Sequence, residues 1–223
     1  EPTVALRGSA GVGKTALAVV ALRNWSGSGA FLDLSTARKT PELLVAVAQV
    51  LEVQLSPTDR TNWAQQLGRA LATRGDLLLV LDAAEGVEGL ALLLNQWATQ
   101  APALRTLVTS RVHFGLPDNQ TLVLGSLAMD EGVALLRHHA AARGVVINDE
   151  PTALRVVQQL DGLPLALGLA AGRLGVLTLS EVEQRLAPAF LRAAEEGRHG
   201  TMEGALDWSW ALLDGASRRG LAV

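Results

Sequence analysis

Residues 6–17 read LRGSAGVGKTAL. Gly8, Gly11 and Gly13 lead into Lys14, one of only two lysines in the chain; the second is Lys39, and every other basic residue is arginine. The spacing Gly8-x-x-x-x-Gly13-Lys14-Thr15 has a physical purpose. Glycines let successive backbone N–H groups turn inward around a phosphate without Cβ clashes. A helix starting near Lys14 presents free N–H groups and the positive end of its dipole to the same anion. Lys14 then serves as a point charge for the outer phosphates, and the Thr15 hydroxyl as a ligand for Mg²⁺. On this phosphate-loop reading the residues expected to cradle a nucleotide are Gly8, Ser9, Ala10, Gly11, Val12, Gly13, Lys14, Thr15 and Ala16.

The flanks fit. Thr3–Arg7 (TVALR) reads as a short strand and the stretch from Lys14 to Trp25 as a buried helix. Further strands are expected at 30–34 (AFLDL), 77–81 (LLLVL), 104–109 (LRTLVT) and 121–124 (TLVL). Helices are expected between them: from Thr40, as N-cap with Pro41 behind it, to about Val53; near 62–73; and at 90–99. Strands alternating with helices indicate βαβ units and a mostly parallel sheet. After Gly125 no further strand is apparent. Helices are expected near 131–143, 151–160, 164–174 and 181–195, the last opened by a capping box at Ser180 and Glu183 and kinked or ended early by Pro188. Gly197–Gly200 reads as a linker and 202–213 as another helix. The expected domains are therefore 1–125, a nucleotide-binding α/β domain; 126–197, a helical lid; and 198–223, the start of a further domain.

The bulk properties narrow the function classes. The chain has 223 residues, 49% of them apolar, enough for a sizeable core. A net charge of −3 leaves no basic face for nucleic acid. The absence of cysteine removes disulfides and thiolate metal sites. No apolar run approaches a membrane span of ~18 residues. A cytoplasmic protein is expected, and a piece of a longer chain, with the other domains of that chain among its partners. His138-His139 has no third ligand at a metal spacing. Trp25, Trp63 and Trp97 read as helix-packing residues.

The phosphate loop needs a second anchor for its metal. Asp82 ends the buried run 77–81, where parallel strands deliver ligands at their C-terminal edge. Its expected role is to hold Mg²⁺, with Thr15. Ala83 follows, so no acid adjoins Asp82 to polarise an attacking water. Glu85 is the nearest candidate base, or else an ordinary loop acid. Arg111, just past the strand at 104–109, can offer its planar fork to a terminal phosphate, or else is a surface arginine pairing with a loop acid. Lys14, Asp82, Glu85 and Arg111 form the candidate catalytic set. A guanine-reading Asn/Thr-Lys-x-Asp motif needs a lysine, and Lys39 does not fit one. Adenine is favoured, and the expected cofactors are ATP or ADP with Mg²⁺.

With these residues in order, followed by Gly162-Leu163-Pro164-Leu165, the chain resembles the STAND signal-transduction ATPases, in particular their NB-ARC (AP-ATPase) branch and its bacterial regulators. LLLVLDAAEG (77–86), TLVTSR (106–111), LDGLPLAL (160–167) and TMEGALDWSWALLD (201–214) carry the likeness, which spans nearly the whole chain. The resemblance implies a five-stranded P-loop sandwich with the Arg111 strand between the strands of the phosphate loop and of Asp82. It also implies a helical lid from about 126 with Pro164 on the adenine, a winged-helix domain opening near 198, and oligomers in the ATP state. The chain departs from that family at Ala83, where its members carry Asp or Asn. His199 does not replace the family's nucleotide-sensing histidine.

Three functions follow as expectations. One is a switch that holds ADP when off and ATP when on, with slow hydrolysis. Another is an ATPase whose turnover is its output, with Glu85 as base. The third is a nucleotide-fold interaction module without catalysis. Neither membrane nor direct nucleic-acid binding is expected of these residues: Ser217-Arg218-Arg219 is too short for a DNA patch.

Overall fold

The computed structural model of the chain describes residues 2–186. Five strands, β1 (Thr3–Arg7), β2 (Ser28–Asp33), β3 (Leu77–Asp82), β4 (Leu104–Ser110) and β5 (Thr121–Val123), form one sheet in the order β2-β3-β4-β1-β5. All neighbours are parallel, with Leu77–Leu81 facing Leu104–Val108 and Thr3–Arg7 facing Thr106–Ser110 in register. The strand carrying Arg111 at its end thus lies between those of the glycine loop and of Asp82. Helices accompany them: α1 (Lys14–Arg23), α2 (Thr40–Val50), α3 (Trp63–Ala72), α4 (Leu90–Gln100), α5 (Met129–Ala141), α6 (Glu150–Gln159) and α7 (Pro164–Ala171), with a further helical segment from 179. Among the described residues no helix is long and apolar enough to cross a membrane.

The sheet forms where β3 is apolar on both faces. Successive side chains of a strand point to opposite sides, so Leu77, Leu79 and Leu81 join a large core under α2, α3 and α4, with Leu43, Leu67, Leu94 and Trp97. Leu78 and Val80 join a smaller core under α1, with Leu6, Ala18 and Leu107. Every residue of β3 is buried. Trp97 is the largest fully buried side chain, and its indole N–H donates to the carbonyl of Ala64 at 2.9 Å, so its burial leaves no polar atom unpaired. The result is a three-layer α/β sandwich.

The described chain divides into two compact units: residues up to Ser9 with Gly13–Leu124, and Ala10–Val12 with the chain from Gly125 on. The second unit has its own core, in which Leu136, Leu160, Leu167 and Leu186 are fully buried with Val156, Val157 and Val182. Its helices approach closely at Gly132, where a Cβ would stand 2.5 Å from a Val157 methyl.

Two helix starts differ from the sequence reading. The last helical segment, which the chain enters at 179, is capped not by Ser180 and Glu183 but two residues earlier. Thr178 N–H donates to Glu181 Oε2 (2.8 Å), and Glu181 N–H donates to Thr178 Oγ1 (3.3 Å). Val182 and Leu186, four residues apart on one face of this segment, are both buried in the core of the second unit. Glu183 instead pairs with Arg155. At α2, Thr40 does not cap: its hydroxyl donates to the Glu88 carbonyl (2.6 Å), while Glu42 accepts the N–H groups of Arg38 (2.7 Å) and Lys39 (3.3 Å). Pro188, the linker at 197–200, the helix at 202–213, His199, Trp208, Trp210 and the winged-helix start lie outside the described residues.

Candidate functional site

The glycine loop connects β1 to α1, and its geometry follows from its residues. Gly13 precedes the helix at φ 99°, a left-handed conformation that L side chains avoid. No side chain caps the N-terminus of α1, and its first turn holds no acid. The first N–H groups of that helix, which have no intrahelical partner, are therefore left to an outside acceptor. The Lys14 ammonium folds back along the loop and donates to the carbonyls of Gly8 and Ser9, at 2.9 Å each. Burial lowers its pKa from the ordinary lysine value, and nearby Arg111 lowers it further, against the opposing pull of Glu85 and Asp82.

Asp82 is the fixed point of the site. It ends β3, is 8% exposed, and collects hydroxyls from two other segments. Thr15 Oγ1, in the first turn of α1, lies 2.9 Å from both carboxylate oxygens. Thr109 Oγ1, from β4, donates to Asp82 Oδ1 at 2.6 Å and accepts the Ala83 N–H at 2.9 Å. Ala83 adopts φ 55°, which turns the chain sharply away from the strand. The one-turn helix that follows, Ala84–Gly86, carries Glu85.

Arg111 lies just beyond β4, and its Nε donates to Glu85 Oε1 at 2.5 Å. Burial raises the Glu85 carboxyl, but the hydrogen bond and charge of Arg111 outweigh it and hold the group below the ordinary glutamate value. Its second oxygen, Oε2, is buried and accepts no hydrogen bond among the described residues. Lys14, Thr15, Glu85 and Arg111 line one cavity of about 420 Å³, together with Thr109, Ser35 and Arg38.

The structure thus gathers Lys14, Thr15, Asp82, Glu85 and Arg111 at the C-terminal edge of the parallel sheet. Pro164 opens α7, in the second unit. Three residues of the site escaped the sequence reading: Thr109, Ser35 and Arg38. Thr109 is one of several polar residues of β4 (LRTLVTS), and nothing in the strand's sequence singled out its hydroxyl. Ser35 and Arg38 lie in the turn after β2, where no motif marked them. His138 and His139 touch each other edge to face at 5.8 Å, and no group of three potential metal ligands of the His, Cys, Asp or Glu type occurs among the described residues.

The donor set fits a nucleotide with Mg²⁺. An uncapped helix start, an ammonium over the loop and a hydroxyl–carboxylate pair at a strand end are the parts such a ligand requires. The oxygen atoms of Thr15 and Asp82 suit a hard cation that keeps most of its water.

No protein-family model matches the chain. Its fold is similar to that of the Aeropyrum pernix ORC2 protein, solved as ADPNP–ADP complexes, with TM-score 0.49 and 14% identity over 83% of this chain and 61% of that one. It is also similar to PCH-2 of C. elegans, with TM-score 0.48 and 15% identity over 87% and 61%. In sequence it is 31% identical, over 94% of its length, to proteins of Mycobacterium tuberculosis and Mycobacterium bovis, each described as a "putative HTH-type transcriptional regulator". The chain spans about a quarter of the length of these relatives, 25% in each case.

Proposed function

We propose that this chain is the nucleotide-operated switch of a larger regulator, holding ADP or ATP with Mg²⁺ and hydrolysing ATP slowly. The carrying observation is Thr15 hydrogen-bonded to Asp82 across 67 residues of chain, beside a helix start that nothing caps. The likeness of the four sequence motifs to NB-ARC proteins supports the STAND assignment, and the mycobacterial relatives support a regulatory setting.

In this reading the loop from Gly8 to Gly13 and the first turn of α1 hold the phosphates through backbone N–H groups. Lys14 turns its ammonium from the loop carbonyls to the outer phosphates, and Thr15 and Asp82 hold the cation. Mg²⁺, when bound, supplies charge neutralisation at the terminal phosphates. The domains are assigned as in the sequence reading: 1–125 binds nucleotide, 126–197 is a lid with Pro164 against the adenine, and 198–223 begins a winged-helix domain. Assembly into oligomers belongs to the ATP state.

Slow turnover has a physical reason. Glu85, the nearest carboxylate able to polarise water, is occupied by Arg111 and held in its charged form beside that cation. Ala83 supplies no second acid. A site arranged in this way favours retention of nucleotide over rapid release of product, as a switch requires.

The test is to release bound nucleotide from the natively purified protein and weigh it by mass spectrometry. The expected result is ADP in near-stoichiometric amount, absent from Lys14→Ala. Protein that purifies without nucleotide and shows no thermal shift with Mg-ADP points instead to an interaction module. Tens of turnovers per second in steady state point to an ATPase whose hydrolysis is its output.

A further inference from the structure

The cavity holds three cations, and they differ in what occupies them. Lys14 is engaged by the loop carbonyls and Arg111 by Glu85. Arg38 faces the same space and forms no ion pair among the described residues. Its Nη1 alone is used, donating to the carbonyls of Ser35 (2.8 Å) and Ala37 (3.0 Å). A guanidinium carries five N–H donors. With both protons of Nη1 spent, the edge made by Nε and Nη2 remains, and that edge matches two oxygens of a phosphate.

Arg38 is exposed, and its position is set by the turn that carries it. At the end of β2, Asp33 Oδ1 accepts the Ser35 N–H (2.8 Å), which tightens the turn. Ala37 N–H donates to the Leu34 carbonyl (3.0 Å), and both of these apolar residues are buried. The two carbonyls that grip Nη1 are therefore fixed by the fold. Glu42, the nearest acid along the chain, is held by the backbone N–H groups of residues 38 and 39. Gly86 packs directly against this turn and must be bare: a Cβ there would stand 2.9 Å from Arg38 Nη1 and 2.9 Å from the Ala37 carbonyl.

We propose that Arg38 reads the terminal phosphate, and that it makes this cavity prefer a nucleoside triphosphate to a diphosphate. The inference rests on the nucleotide reading given above and adds a residue to it. A diphosphate satisfies the loop and Lys14 and leaves the guanidinium edge of Arg38 without an acceptor. A third phosphate brings more negative charge and two further oxygens to that edge. Arg111 must leave Glu85 to reach the same phosphate, whereas Arg38 needs no such exchange.

The test is equilibrium binding of Mg-ADP and of a non-hydrolysable ATP analogue to the wild-type chain, Arg38→Gln and Arg38→Lys. Charge-assisted hydrogen bonds of this kind carry roughly tenfold in affinity. Arg38→Gln is expected to lose about that factor for the triphosphate analogue and less than about twofold for ADP, and Arg38→Lys to fall between. The melting temperature without nucleotide is expected to stay at the wild-type value. Equal losses for both nucleotides would mean that Arg38 only supports its turn, and no loss for either would mean that it touches no phosphate; each overturns the proposal. If the wild type binds neither nucleotide, the nucleotide reading falls as well. If it binds both and Arg38→Gln is unaffected, the proposal for Arg38 falls alone.

Discussion

The sheet edge and the helical unit anchor their polar groups in different ways. In the helical unit most of the polar contacts are local. Asp149 caps α6 by accepting the N–H and hydroxyl of Thr152, Thr178 and Glu181 cap each other, and Glu131 accepts the N–H of Ala128. Each spans three residues and tells a helix where to begin. At the sheet edge the contacts are long in sequence: Thr15 to Asp82, Thr109 to Asp82, Arg111 to Glu85. None of these organises its own element. They form only once the strands are in register, and they leave charges gathered where a ligand can use them. Polar groups that start helices contribute to folding, whereas charged groups drawn together from distant segments are candidates for a place of chemistry.

That contrast can be broken or sharpened by mutation. The largest effect is expected where the helical unit depends on backbone rather than side chains. Gly162 adopts φ 62°, and a Cβ there would stand 2.4 Å from the Leu127 carbonyl, whose own N–H donates to Gly162 O at 3.0 Å. Gly162→Ala combines a left-handed strain of about 1–2 kcal/mol with a clash against backbone, so a loss of roughly 3 kcal/mol is expected. Hydrogen exchange would locate that loss in α5–α7. Preserved protection there would contradict the close approach. The next effect is at the sheet edge. Thr109→Val keeps the shape of the side chain but removes a donor from Asp82 and an acceptor from the Ala83 N–H. About 2 kcal/mol of stability should be lost in denaturant unfolding, together with weakened Mg²⁺ dependence of nucleotide binding. A loss of stability with unchanged Mg²⁺ dependence would reduce Thr109 to a fold residue.

The smallest effect is the local cap, and pH reads it. The hydrogen bonds from Thr152 lower the pKa of Asp149 below its ordinary value. A carboxyl depressed in the folded state stabilises above its unfolded pKa, about 4, and that contribution is lost as pH falls through the folded value. Asp149→Ala should therefore melt slightly lower than wild type at pH 7, and the gap should close below about pH 4. A gap that persists in acid would mean that the cap acts through packing instead of charge.

The same division explains what was legible in the sequence. Strands and helices announce themselves through local periodicity, so β1, β3 and β4 and the helices between them were readable, as was the glycine loop with its fixed spacing. Asp82 was readable because a buried run ends in it. The cap at Thr178 was not, because Thr178-x-x-Glu181 and Ser180-x-x-Glu183 overlap in one stretch, and in the structure Glu183 is engaged by Arg155, 28 residues away. Thr109 and Arg38 were missed for a deeper reason. Their partners lie on other strands or in the carbonyls of a turn, and no residue spacing encodes a contact that the sheet order creates. The hold of Glu85 on Arg111 was legible only as an alternative, an arginine paired with some loop acid, because no spacing tells which acid the sheet order brings to it.

Ala83 carries a consequence for engineering. Its left-handed conformation costs about 1 kcal/mol that glycine would not incur. The methyl group there stiffens the joint between Asp82 and the short helix bearing Glu85. A more permissive residue at 83 would stabilise the fold and at the same time loosen the aim of one carboxylate relative to the other, so under the proposed function thermal resistance and precision of nucleotide handling should move in opposite directions at this one position.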